Sequence, residues 1–133
     1  MREFETLDIN NKKCRFQYSI EQDGEYITFR VFSIPMNELE WFQYTVKIIN
    51  SHLAKSETFT HNYKMEFSKK GIPEKIVEIA SNYLKRSIVS SPKSPKPGDF
   101  IIPAAIKAWD RLILQNSNAR YDKANDCFIL EWK

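Results

Sequence analysis

Residues 14–33 alternate apolar and polar side chains with a period of two, as a strand with one buried face does. Cys14, Phe16, Tyr18 and Ile20 stand against Arg15, Gln17 and Ser19. Ile27, Phe29 and Val31 stand against Tyr26, Thr28 and Arg30. Between the two runs, Gln22-Asp23-Gly24-Glu25 reads as a hairpin turn, because Asp-Gly tolerates the positive φ that tight turns need. A leading strand over residues 3–9 fits the same pattern less cleanly. Ile34-Pro35-Met36-Asn37 breaks it.

Residues 38–50 fit two periods. As a helix, Asn37 would cap, Glu40 would sit at the third position, and Leu39, Phe42, Val46, Ile49 and Leu53 would share a face. As a strand, Phe42, Tyr44, Val46 and Ile48 alternate with Gln43, Thr45 and Lys47. The run from Trp41 to Ile49 is aromatic and β-branched, which favours the strand. Residues 50–57 read as a polar loop. Phe59, His61, Tyr63, Met65 and Phe67 then alternate with Thr60, Asn62, Lys64 and Glu66, the cleanest strand pattern in the chain.

Helical spacing takes over at Gly71-Ile72-Pro73-Glu74, where a proline opens the helix and an acid occupies its first turn. Ile76, Ile79, Ala80, Tyr83 and Ser87 share one face over residues 73–89, widened by Val77, Leu84 and Ile88. Glu74, Lys75, Glu78, Ser81, Asn82, Lys85 and Arg86 are expected on the other side. A Pro/Ser/Lys loop follows at 90–99, where Pro92, Pro95 and Pro97 forbid helix and favour extended chain. Pro103 opens a second helix over 103–115, with Ala105, Ile106, Trp109, Leu112 and Ile113 inward. A C-terminal hairpin over 119–132 turns at Asp122–Asp126. Strands followed by helices imply an α+β fold: an antiparallel meander at about residues 14–67, two helices packed on it, and the hairpin extending or capping the sheet. Residues 1–133 are expected to form a single domain, since the tail after the loop is too short to fold alone.

Composition narrows the function classes. With 42% hydrophobic and 28% charged residues, the chain reads as a soluble globular protein. No apolar run is long enough to span a membrane, and Met1-Arg2-Glu3-Phe4-Glu5 has no signal-peptide character, so the expected location is cytoplasmic. Cys14 and Cys127 are too few for a disulfide framework or a four-ligand zinc site. The net charge of +3 is uneven. Residues 69–97 hold seven basic side chains against Glu74 and Glu78. Lys85, Arg86, Lys93 and Lys96 are the residues of this strip that an anion or nucleic acid would meet.

Catalytic chemistry finds little footing. Two histidines nine residues apart, His52 and His61, do not make a metal site, and no metal or cofactor is expected. Three glycines form no phosphate-cradling loop. A Cys–His pair lacks the surroundings of a cysteine enzyme, so no catalytic residue is assigned. Six tyrosines and three tryptophans exceed what a modest core needs, which suits an interface or a ligand groove. The expected function is a small binding or protein-interaction module, non-enzymatic, its partner another protein or a second copy in a homodimer. One alternative is a small-ligand-binding protein or small enzyme with an aromatic pocket of His61, Tyr63, Tyr44 and Trp41. A second is an accessory nucleic-acid binder using the basic strip.

Overall fold

A computed structural model describes residues 1–62, 70–93 and 103–132. Five strands form an antiparallel meander: β1 (Arg2–Leu7), β2 (Lys13–Asp23), β3 (Tyr26–Ser33), β4 (Trp41–Ile48) and β5 (Leu53–Asn62). Helix α1 (Ile72–Leu84) leads to the short strand β6 (Ser87–Val89). Helix α2 (Pro103–Gln115) leads to the hairpin β7 (Ala119–Asp122) and β8 (Cys127–Leu130). One sheet joins these eight strands in the order β1-β2-β3-β4-β5-β6-β8-β7. The expected α+β class and the C-terminal hairpin are both present. Among the described residues, no helix is long and apolar enough to cross a membrane.

The alternation written in the sequence settles which sheet face is buried. Phe16 and Tyr18 of β2, Ile27, Phe29 and Val31 of β3, and Phe42, Tyr44 and Val46 of β4 all enter one core. Both helices pack on that face, side by side. α1 contributes Ile72, Ile76, Val77 and Ala80, and α2 contributes Ala105, Trp109 and Leu112. Trp109 stacks on Phe128 of β8, with ring centroids 5.8 Å apart and planes 9° from parallel. The opposite face carries cross-strand polar pairs, among them Thr28–Thr45 and Arg30–Gln43. One solvated face is usual for an antiparallel sheet.

Residues 41–48 are a strand, and Asn37 does not cap a helix. Its side chain instead accepts the Leu39 N–H at 3.1 Å, closing the β3–β4 turn. The polar loop expected at 50–57 is shorter than its composition implies, because β5 begins at Leu53. Ala54 and Ser56 face the core, then the register slips between Thr45 and Val46 of β4 and leaves Glu57 as the extra residue of a bulge. Phe59 and His61 thereby come opposite Tyr44 and Phe42. The bulge changes the phase of alternation, which is why the first half of β5 does not look like a strand continuing into the second. Tyr63, Met65 and Phe67 lie outside the described residues.

α1 stops at Leu84, short of the expected residue 89. Lys85 adopts left-handed geometry at φ 53°, and its N–H bonds the Ser81 carbonyl. The Arg86 side chain then locks onto the carbonyls of Asn50 and Leu84. Ser87, Ile88 and Val89 leave the helix and pair in parallel with β5 and antiparallel with β8. The burial of α1 also differs from the expected face. Glu74 and Ser81 are buried where solvent was expected, because α2 covers that side. Ile79 is only half-buried, and Tyr83 keeps 43% of its surface exposed. Tyr83 lies edge-on to Phe29 and beneath the Arg2 guanidinium, as a lid on the core and not part of its interior.

Candidate functional site

The four residues of the expected aromatic pocket do not share one surface. Tyr44 is wholly buried and stacks on Phe59 at 4.7 Å. Burial pushes its phenol well above the usual tyrosine range. His61 follows on the same face of β5 and is exposed. Trp41 pairs with Asn62 on the opposite face, with the Arg30 guanidinium 5.6 Å above its ring. Tyr63 lies outside the described residues.

The basic strip is also divided. Lys85 is exposed at the end of α1, and Arg86 beside it is tied to backbone carbonyls. Lys93 stands near the β7–β8 turn, its ammonium 5.3 Å from the Tyr121 ring and 5.9 Å from the Phe128 ring. Lys96 lies outside the described residues. Cys127 is buried, and burial together with Asp122 and Asp126 raises its thiol pKa, which makes it a poor nucleophile.

A different place brings polar groups together. A cleft of about 650 Å³ opens where the β1–β2 turn meets the first half of α1 and the end of α2. The turn is stiffened by Asp8. Its Oδ1 accepts the N–H groups of Asn10 and Lys12 at 2.8 and 2.9 Å, and Oδ2 lies 3.8 Å from the Lys70 ammonium. The Lys12 N–H is the chief reason its carboxyl stays below the usual aspartate range.

Thr6, Leu7 and Gly71 line the cleft. Gly71 caps α1 at φ 73°, a conformation that disfavours any side chain, and no side chain caps the helix there. A methyl group placed on Gly71 would lie 3.3 Å from the Leu7 carbonyl oxygen and 3.4 Å from Glu74 Oε2. It would lie 3.9 Å from the Thr6 Cβ. Two of these groups are orphans. Thr6 Oγ1 and Glu74 Oε2 are buried without a hydrogen-bond partner among the described residues.

Glu74 is 2% exposed, and its other oxygen, Oε1, accepts the Arg111 Nε–H at 2.7 Å. Burial raises its carboxyl above the ordinary glutamate value, and Arg111 offsets part of that rise. Arg111 belongs to α2, so this ion pair joins the two helices behind the cleft. A second link, from Asn116 Nδ2 to Glu78 Oε2 at 3.3 Å, joins them further along.

The sequence matches no protein-family model and no curated protein.

Lys13 and Lys75 line the same cleft, and neither has an ion-pair partner among the described residues. The free N–H groups and positive dipole end of α1 add to their field. The cleft walls therefore carry Lys13 and Lys75 beside the carboxylates of Glu5, Asp8 and Glu78, with the unpaired oxygens of Thr6 and Glu74 buried next to them. Among the described residues, no three His, Cys, Asp or Glu side chains are grouped as metal ligands would be.

Sequence reasoning missed this place, although two signals were available. Thr6 occupies an inward position two residues after Phe4, and Glu74 shares a helical line with Val77 and Ser81. A polar residue recurring on an apolar face is the signal.

Proposed function

We propose that this chain is a binding module that takes a small charged ligand into the cleft between the β1–β2 turn and α1. The observation that carries this is the cleft itself, lined by Thr6, Lys13 and Lys75, with the unpartnered oxygens of Thr6 and Glu74 buried next to it. Buried polar atoms are nearly always hydrogen-bonded, and leaving one unpaired costs about 1–3 kcal/mol. Thr6 lines the concave place with Lys13 and Lys75, and Glu74 lies buried behind it; polar side chains gathered around a cleft in this way suit a ligand site. The test is a thermal-shift panel of small carboxylates, phosphates, amines and amino acids on the full chain. Ligands of this site should raise the melting temperature of the parent and have less effect on Thr6→Val and Lys75→Ala. A panel without any shift removes the proposal.

Self-association has its own support. Ile34, Met36 and Leu39 expose 42%, 36% and 77% of their surface on the single turn between β3 and β4. Three apolar side chains together suit burial against a second copy, and the turn lies far along the chain from the cleft residues. Sedimentation at micromolar concentration should then give twice 15.7 kDa, and Leu39→Ser should return the monomer. A parent chain that sediments as a monomer ends this second reading.

A further inference from the structure

The β3–β4 turn does not stand alone at its end of the sheet. Ser33, the last residue of β3, lies opposite Phe16 of β2, and three residues earlier in β2 Lys13 lies opposite Leu7 of β1. The β1–β2 and β3–β4 turns therefore leave the same end of the sheet, two strand spacings apart, about 10 Å. Leu7 and Ile9 expose 56% and 72% of their surface there, next to the exposed Ile34, Met36 and Leu39. Single exposed apolar side chains are ordinary, whereas five on two adjacent turns mark an interaction surface. Both turns are also held in shape. Asp8 Oδ1 accepts the N–H groups of Asn10 and Lys12, and the Asn11 N–H reaches the Asp8 carbonyl at 3.0 Å. Asn62 Nδ2 donates to the Leu39 carbonyl at 2.8 Å, and the Ser33 hydroxyl to the Pro35 carbonyl at 3.0 Å. A surface fixed before contact loses little freedom on association.

We infer, resting on the reading that the chain self-associates, that the β3–β4 turn of one copy packs on the β1–β2 turn of the second, about a two-fold axis between the two turns. The charges select this arrangement over turn on like turn. Lys12 on the β1–β2 turn and Lys13 at its foot form no ion pair among the described residues. Asp8 beside them is engaged by the N–H groups of its own turn and by Lys70, and the unpaired Glu5 stands further back on β1. The β3–β4 turn carries Glu38, which is exposed and has no ion pair among the described residues. Packing each turn on its like would set Glu38 against Glu38 and Lys12 against Lys12. Exchanging the turns sets Glu38 against Lys12, and a two-fold axis makes that contact twice. Leu39 and Met36 then meet Ile9 and Leu7, apolar against apolar. Charges placed in this way fix the register and exclude the wrong mate.

Sedimentation equilibrium of the full chain across the micromolar range is the test, with circular dichroism to show that each variant is folded. The parent should approach twice 15.7 kDa. Ile9→Ser, on the β1–β2 turn, should weaken the dimer about tenfold or more, as Leu39→Ser does on the other turn. Lys12→Glu alone and Glu38→Lys alone should each weaken it, because each sets like charges together twice. An equal mixture of the two variants should dimerise as the parent does, since each then meets an opposite charge at both contacts. Weakening by Leu39→Ser with no effect of Ile9→Ser overturns the proposed mate while self-association stands. A Glu38→Lys protein that dimerises more tightly than the parent does the same, because it would show like turns meeting. A mixture that stays monomeric also overturns the exchange. A parent chain that remains a monomer overturns both, and one that cosediments with phosphatidylcholine vesicles as a monomer gives this end of the sheet to a lipid surface instead.

Discussion

Thr6→Val separates a hydroxyl kept for a ligand from one that holds the fold. Valine has the shape of threonine and is equally at home in a strand, so β1 should form unchanged. What differs is one oxygen. In the structure that oxygen is buried and unpaired, and Thr6 is 8% exposed. An unsatisfied buried hydroxyl destabilises by about 1–3 kcal/mol, so its replacement by a methyl should stabilise the unliganded protein by about 1–2 kcal/mol. For a chain of this size the melting temperature should rise by roughly 3–4 °C per kcal/mol. The assay is urea unfolding followed by tryptophan fluorescence, with calorimetry as a second measure. An unchanged m-value shows that the transition is the same in both proteins. A loss of stability of about 0.5 kcal/mol or more refutes the reasoning. It would mean that the hydroxyl bonds within the fold or to a fixed water, and that Thr6 is structural.

Three further outcomes follow from packing and titration. Ile76 is fully buried and Ile79 half-buried on the same helix, so Ile76→Ala should cost about 3–4 kcal/mol and Ile79→Ala about 1–2, measured by chemical denaturation; equal losses would show that the helix face is misplaced. Asp8 has a depressed pKa, so its contribution is present above the ordinary aspartate value and lost as pH falls through the lower one; Asp8→Asn should flatten the stability profile between about pH 2 and 5, and an unaltered profile would refute the turn's role. Glu74 has a raised pKa, so it favours the fold below the ordinary glutamate value and that contribution is lost as pH rises through the higher one; unfolding from about pH 4 to 7 should show Glu74→Gln gaining on the parent, and a gap that stays constant or widens the other way would contradict burial as the dominant cause.

Most of the sheet was legible because alternation with a period of two depends only on which face is dry. Phe16, Tyr18, Phe29, Val31, Phe42 and Tyr44 all obey it. The limits of legibility have local causes. Ile88 fits the helical stripe of α1, yet it belongs to a strand of three residues, too short for any period to register. The helix ends at Lys85 through a left-handed residue that is not glycine, so the usual stop signal is missing. Glu74 was assigned to solvent because charged residues usually are, and only the packing of α2 places Arg111 beside it. The cleft was illegible for a related reason: Thr6 and Gly71 are far apart in sequence, and a concave surface between them exists only once β1 and α1 have met. The aromatic surplus divides: Tyr18, Tyr44 and Trp109 are buried in the core, whereas Tyr26, Tyr83 and Trp132 stay exposed.

Strand β6 also governs the order in which the molecule can be assembled. The meander pairs neighbours along the chain, so β1 to β5 can close as soon as each hairpin is made. The three residues of β6 can lie against Leu53–Lys55 early, but their other edge waits for Ile129 and Leu130. During synthesis that edge stays open until the C-terminal hairpin is delivered. Until then Trp109 also lacks the Phe128 ring on which it stacks. The chain thus spends part of its production with a strand open along one edge and a tryptophan uncovered, a combination that recruits chaperones or a neighbouring chain. β8 acts as a fastener between β6 and β7, at the end of a sheet whose meander is built from local contacts.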